Sequence, residues 1–346
     1  MHGSGCGDRT IVVGAGVAGL ACARALADAG TPVTVIERGR GVGGRCITRH
    51  IEGQRVDYGV LFYHGRNPDF LAGLEAVPAT VVPGWPRVVQ GQGRPCQPEA
   101  FAPGERRFAF AEGVSEFPKH LARGLDIRTG MRAISFSIDG SALRLELEWG
   151  ESLSARVVVL ALPAEQTLAL LHATPEAASV LDTARAILAM VRSQPCLTVV
   201  AGYPLDAPAP DWDICYPEAS PVLQALARDS GKRPSPAFHT MIYQAHPRWS
   251  REHIGAPGWR EAILAEAARL LGTWAAEPRF THAHRWRHAS TDRTAELVAP
   301  LFLDLPGGAH LGLAGEVFVA GGGVEAAWAS GARLAKRILA AEGVPR

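Results

Sequence analysis

No Cys-x-x-Cys pair occurs in this chain. Its six cysteines, Cys6, Cys22, Cys46, Cys96, Cys196 and Cys215, are scattered over 346 residues. A disulfide framework or a cysteine-built metal site is therefore not expected, and reduced thiols in a cytoplasmic chain are. Charge of either sign is not in excess: 35 Lys and Arg face 34 Asp and Glu, for a net charge of +1. That argues against a nucleic-acid partner and against an anionic membrane surface. The most apolar early stretch, residues 11–29, carries Arg24, Asp28 and several glycines. It is not a continuous span of about 20 apolar residues, so neither a signal core nor an anchor is expected. The twelve histidines give one metal-like spacing, His282-x-His284-x-x-x-His288. Its i, i+4 pair could share a helix face, but no carboxylate or cysteine stands beside it, and no metal is expected. There is no Ser-His-Asp order and no Cys-His pair that reads as catalytic. The remaining composition, 47% apolar and 20% charged, is that of a globular chain long enough for two domains, or for one with an inserted cap.

The stretch from Thr10 to Arg45 is organised. An apolar run, Ile11-Val12-Val13, turns through Gly14-Ala15-Gly16-Val17-Ala18-Gly19. A helix-compatible segment follows over 20–29, then a second apolar run over 33–36 ending at Glu37. Strand, glycine turn, helix, strand and acid come in the order that holds a dinucleotide. Gly14 permits the tight turn, Gly16 lets backbone approach a pyrophosphate, and Gly19 lets the helix pack on the strand. The helix start, with Val17 and Ala18, offers N–H groups to the phosphates. Glu37 is spaced to accept hydrogen bonds from a ribose, and Arg38 adjoins it. The following loop contains Arg40, Gly41, Gly43, Gly44 and Arg45, so it combines close backbone approach with forked cationic donors. Next, residues 56–63 form an apolar-aromatic, strand-like run carrying Asp57.

Further along, 67–76 reads as a short helix, and 77–103 is rich in Pro, Gly and Trp without a period. Residues 127–136 and 143–149 read as strands joined at the Asp139-Gly140 turn. Residues 156–163 read as a buried strand ended by Pro163, and 164–181 as a helix. Strands are expected over 195–201 and 238–244, and an amphipathic helix over 260–271. Near the end, Gly315-Glu316 precedes Gly321-Gly322-Gly323-Val324-Glu325 and a small-residue helix reaching Ala341. The first eight residues read as a flexible start.

Gly14-x-Gly16-x-x-Gly19, Glu37, Arg40-Gly41-x-Gly43-Gly44-Arg45, Asp57-x-Gly59 and Gly315-Glu316 with Val324 together resemble the flavin amine oxidase superfamily. The resemblance implies FAD as cofactor. It implies that Glu316 meets the ribityl chain, that the backbone around Ala133 meets the adenine, and that N–H groups near Val324 and Glu325 face the flavin pyrimidine. No cysteine lies in the C-terminal signature, so the FAD is expected to be non-covalent. The implied fold is α/β, a Rossmann-type FAD-binding domain with an inserted α+β substrate domain, as in the amine oxidase and p-hydroxybenzoate hydroxylase architecture. Residues 8–76, 104–165 and 300–342 are assigned to the FAD-binding domain, and 77–103 and 166–299 to the substrate domain.

Within the superfamily, Gln244-Ala245-His246-Pro247-Arg248-Trp249-Ser250-Arg251 and Ala283-His284-Arg285-Trp286 resemble the renalase family, particularly its bacterial members. That likeness implies oxidation of misformed dihydronicotinamide dinucleotides to NAD(P)+, with molecular oxygen reoxidising the flavin to give hydrogen peroxide. The chain departs from the family at Val60-Leu61-Phe62-Tyr63, at His288, and at Glu316 and Gly323 near the end. Trp286, Tyr63, Phe62 and His288 are the candidates for the catalytic walls around a substrate ring, and Arg285 for an anionic group of the substrate. Two other functions fit the same scaffold: an oxidase or desaturase of a small amine or other metabolite, and a catalytically silent flavin-binding partner protein.

Overall fold

The computed structural model describes residues 9–91, 105–174, 180–292 and 297–343. The flexible start expected over 1–8, part of the Pro-Gly-Trp stretch, Cys6 and Cys96 lie outside the described residues. The chain divides into two compact units, 1–44 with 118–193 and 290–346, and 45–117 with 194–289.

The first unit is built on a six-stranded sheet. Its order is Leu301–Asp304, His310–Leu313, Val157–Leu160, Thr10–Val13, Val33–Glu37, Asp126–Thr129. All neighbours are parallel except the edge strand Leu301–Asp304. Thr10–Val13 and Val157–Leu160 are buried at every position, as strands covered on both faces must be. The helices Val17–Asp28 and Gly323–Ala341 pack on one another through small residues. A Cβ at Gly331 would lie 2.0 Å from the Ala18 carbonyl oxygen, so only glycine permits this approach. A separate antiparallel sheet, Ala133–Asp139, Ala142–Leu147 and Ser152–Ala155, turns at Gly140 as expected.

Two elements expected as continuous are divided. The 127–136 run is two strands, Asp126–Thr129 and Ala133–Asp139, separated at Gly130, whose φ of +73° no strand continues through. The 164–181 stretch holds two helices, Ala164–His172 and Val180–Met190, with 175–179 outside the described residues.

The second unit carries another six-stranded sheet, in the order Phe280–Thr291, Ser193–Tyr203, His239–Ala245, Leu223–Arg228, Ile214–Cys215, Val89–Gln90. The helix Trp259–Leu271 packs its Trp259, Ile263 and Ala267 into the apolar core around Leu197, Met241 and Tyr243. The helix Pro68–Glu75 is capped by Asn67, whose Oδ1 accepts from the N–H groups of Asp69 and Phe70. The 56–63 run is not one strand. Gln54–Asp57 and Tyr63–Gly65 flank an irregular segment, 58–62. Among the described helices none is long and apolar enough to cross a membrane.

Candidate functional site

In the first unit the two glycine loops meet. Thr10–Val13 lies between Val157–Leu160 and Val33–Glu37, and the chain leaves it at the carboxyl end of the sheet, where such folds hold ligands. Gly14 has a φ of +106°, and a Cβ at Gly19 would lie 2.0 Å from the Gly14 carbonyl oxygen. At Gly16, by contrast, a Cβ would meet nothing within 4 Å. The packed sides of the turn are closed and its Gly16 side is open. The second loop docks on the first: Gly43 N–H donates to the Ala15 carbonyl at 2.8 Å.

Glu37 ties this arrangement together. One carboxylate oxygen accepts from Ala15 N–H at 3.0 Å and the other from Gly39 N–H at 2.6 Å. The Glu37 and Gly39 carbonyls accept from Met131 and Gly130, which brings the approach to Ala133 beside the same strand tip. Arg38 is exposed next to it.

The helices Val17–Asp28 and Gly323–Ala341 both start on a glycine N-cap, Gly16 and Gly322, without a side-chain cap. Neither N-cap residue therefore supplies a side-chain acceptor to the first turn, which begins at Val17 and Ala18 in one helix and includes Val324 and Glu325 in the other. Gly315 N–H donates to Ser330 Oγ at 3.0 Å, and Glu316 accepts from Thr291 Oγ1 at 2.9 Å. An open glycine turn, two uncapped helix starts and an acid at the second strand tip form a donor set that suits a dinucleotide with a flavin head.

In the second unit the strand Phe280–Thr291 carries the other candidates. The 282–288 histidines are on a strand, not a helix, so the side-chain period is two. His282, His284, Trp286 and His288 share one face, and Arg285 points to the other. There its guanidinium lies 5.2 Å from the Trp259 ring and donates to the Ile254 carbonyl. The structure thus brings Trp286 and His288 together and places Arg285 apart from them.

Trp286 covers Gly59. A Cβ there would lie 2.9 Å from Trp286 Cζ2 and 2.3 Å from the Arg45 carbonyl oxygen. Trp286 Nε1 donates to the Tyr58 carbonyl at 3.3 Å, and Gln244 Nε2 donates to the Gly59 carbonyl at 2.8 Å. Val60 N–H donates to the Arg45 carbonyl at 3.0 Å, and Lys232 Nζ to the Leu61 carbonyl at 2.9 Å. The Arg45 guanidinium itself donates to the Ala289 carbonyl. Phe62 is 6% exposed and packs edge-on to Trp85. Tyr63 is fully buried between Phe110 and Phe117 with its hydroxyl donating to the Val114 carbonyl, the position of a core residue rather than of a wall around a substrate.

Beneath this segment lies a cluster that sequence reasoning did not find. Lys232 is 2.6 Å from Asp57 and 2.6 Å from Asp229, all three fully or almost fully buried. Arg233 bridges the same two carboxylates at 2.9 and 3.0 Å. Burial works to raise the Asp57 pKa, but the Lys232 and Arg233 charges and the bonds from Lys232 and Thr48 outweigh it and hold the group below the ordinary range. The only trace in the sequence is the mixed run Asp229-Ser230-Gly231-Lys232-Arg233, which looks like a solvated turn.

Comparison with known proteins defines the class to which this fold and site belong. The NAD(P)-binding Rossmann-like domain matches residues 12–75, and the flavin containing amine oxidoreductase family matches residues 98–339. The chain belongs to the flavin containing amine oxidoreductase family. Among curated relatives, polyamine oxidase 1 of Oryza sativa subsp. japonica is 45% identical over 60 residues, 16% of this chain and 12% of that protein. The zeta-carotene-forming phytoene desaturase of Myxococcus xanthus is 48% identical over 59 residues, 17% of this chain and 11% of its own. The matched stretches thus span about a tenth of these relatives. A putrescine oxidase structure bound to putrescine superposes with a TM-score of 0.70 at 17% identity, covering 96% of this chain and 99% of that one. At that identity the likeness is one of fold.

Proposed function

We propose that the chain is a renalase-like oxidase of dihydronicotinamide dinucleotides reduced at the wrong ring carbon. One observation carries this reading. The two segments that resemble the renalase family, around Gln244 and around Trp286, converge on a single residue: Gln244 bonds the Gly59 carbonyl and Trp286 lies against Gly59. In this reading the first unit is the FAD domain and the second the substrate domain. FAD, when bound, would supply the hydride acceptor and the oxygen-driven reoxidation that such a reaction needs. Gly14, Gly16, Val17, Ala18, Gly19, Gly43 and Gly44 hold its pyrophosphate, Glu37 with Arg38 its adenosine ribose, and the backbone at Ala133 its adenine. Gly315 and Glu316 hold the ribityl chain, and the helix start at Val324 and Glu325 stabilises negative charge on the reduced pyrimidine.

Hydride transfer needs alignment and exclusion of water more than an acid or base. Trp286 and His288, on the one strand face, supply a flat wall for a substrate ring, with Phe62 behind the held segment. The second reading, an amine oxidase or desaturase, is favoured by the likeness to polyamine oxidase and phytoene desaturase. Rapid anaerobic mixing of the purified yellow protein with 2- and 6-dihydro-NAD(P) isomers and with amines separates the two. Flavin bleaching by the isomers is the expected result. Bleaching by amines alone overturns it, and bleaching by nothing favours a silent flavin-binding protein.

A further inference from the structure

We infer that Arg49, Tyr58, His282 and His284 form a subsite for an oxyanion, the phosphate or carboxylate group of a bound ligand. The assignment of that group to the substrate rests on the dinucleotide reading above.

The four side chains come from three places. Arg49 is on the strand Thr48–Ile51, Tyr58 opens the held segment after Asp57, and both histidines are on Phe280–Thr291. The Tyr58 ring is the centre of the group. Its centroid lies 5.6 Å from that of His282, 5.3 Å from His284 and 5.5 Å from Trp286, and the Arg49 guanidinium carbon is 5.8 Å from it. Arg49 is exposed and the two imidazoles are half-buried, so the cluster is open at one side.

Two buried polar atoms in this cluster, Tyr58 Oη and His282 Nε2, make no hydrogen bond among the described residues. Buried polar atoms are nearly always bonded, and two orphans in one cluster point to a ligand that satisfies them. The chemistry of the cluster selects that ligand's sign. A guanidinium and a phenol donate, each imidazole can donate through one nitrogen, and among the described residues the charge that acts on both imidazoles is that of Arg49, with no carboxylate beside it. An ammonium group would meet Arg49 at the ring where a cation would otherwise stack, so a primary amine or polyamine is disfavoured here.

Burial and then Arg49 push both imidazoles below the ordinary histidine range. They are neutral near pH 7, and an arriving anion opposes Arg49 and favours their protonation. For an anion of fixed charge, binding is thus accompanied by proton uptake and tightens as pH falls.

The test uses the FAD-loaded protein with 15N-labelled histidine. Inorganic phosphate and pyrophosphate are titrated to about 10 mM while the imidazole resonances of His282 and His284 are followed by NMR. Saturable shifts at both residues are expected, with affinity rising as pH falls. Arg49→Ala should weaken the binding about tenfold, while Arg248→Ala, at an exposed helix arginine, should not. No shift at either histidine, or shifts unaffected by Arg49→Ala, would overturn the subsite. A second arm measures KM for 2- and 6-dihydro-NADP. A rise of about tenfold in Arg49→Ala with kcat little changed places the oxyanion on the substrate. If phosphate shifts the histidines but the isomers never bleach the flavin, the subsite stands and the dinucleotide reading falls.

Discussion

At the scale of single residues, the buried Asp57, Asp229, Lys232 and Arg233 decide how the second unit holds its candidate wall. Two carboxylates and two cations balance, but each depends on the others. Lys232→Met leaves two buried carboxylates sharing one guanidinium. It should lower stability by about 4 kcal/mol, visible as a drop in the denaturation midpoint, since breaking a buried pair leaves an uncompensated charge. A depressed carboxylate pKa gives stability that is present above the unfolded value near 4 and is lost as pH falls through the folded value. Asp57 is such a group. Melting temperatures followed from pH 7 to pH 3 should therefore fall more steeply for the native protein than for Asp57→Asn, which has less of this stability to lose. In the first unit Glu37 has a different task. Both its oxygens accept backbone N–H groups of the glycine loops. Glu37→Gln keeps one acceptor and loses the other, so FAD should be retained about tenfold less well, read from the ratio of 450 to 280 nm absorbance after gel filtration.

At the scale of elements, alternation along one strand separates residues that sit together in the sequence. Trp286 and Arg285 are neighbours in the chain yet face opposite sides of the sheet. Trp286→Ala removes the cover from Gly59 and should slow anaerobic flavin bleaching at least tenfold, by roughly the cost of a small misalignment. Arg285→Ala should instead loosen the contact with Trp259 and act on stability. Local sequence made the glycine turn, the first helix and its two strands legible, because each is specified by residues within a few positions of one another. The same holds for the C-terminal helix. What stayed hidden depended on partners distant in the chain. Tyr63 reads as a candidate wall around a substrate ring, and nothing near it in the sequence announces that Phe110 and Phe117 enclose it. Lys232 reads as a turn residue until Asp57, 175 positions away, is brought to it. The histidine spacing suggested a helix only because its strand has no alternation of polar and apolar residues. Helix packing offers a further test: Gly331→Leu forces the helices Val17–Asp28 and Gly323–Ala341 apart, and should cost about 2 kcal/mol and reduce FAD content together.

At the scale of the whole molecule, the family and cofactor class were legible and the substrate was not. The FAD signature is made of short motifs with fixed spacing, whereas the candidate substrate wall is assembled from strands and loops scattered over the second unit. The manner of FAD attachment is directly testable. Acid precipitation is expected to release all of the flavin into the supernatant, and yellow colour remaining with the pellet would show a covalent bond.

The irregular segment after Asp57 has a further consequence. It has no regular secondary structure, yet the Tyr58, Gly59 and Leu61 carbonyls are each engaged by a side chain and the Val60 N–H by a carbonyl. Such a segment should not open with surface loops. In hydrogen–deuterium exchange the Val60 amide should persist on the timescale of global unfolding, alongside the buried strands. In Lys232→Met or Gln244→Ala it should exchange early, while the amides of the first unit's parallel sheet keep their protection. What is a loop by shape would then be, by its opening energy, part of the second unit's most slowly opening core.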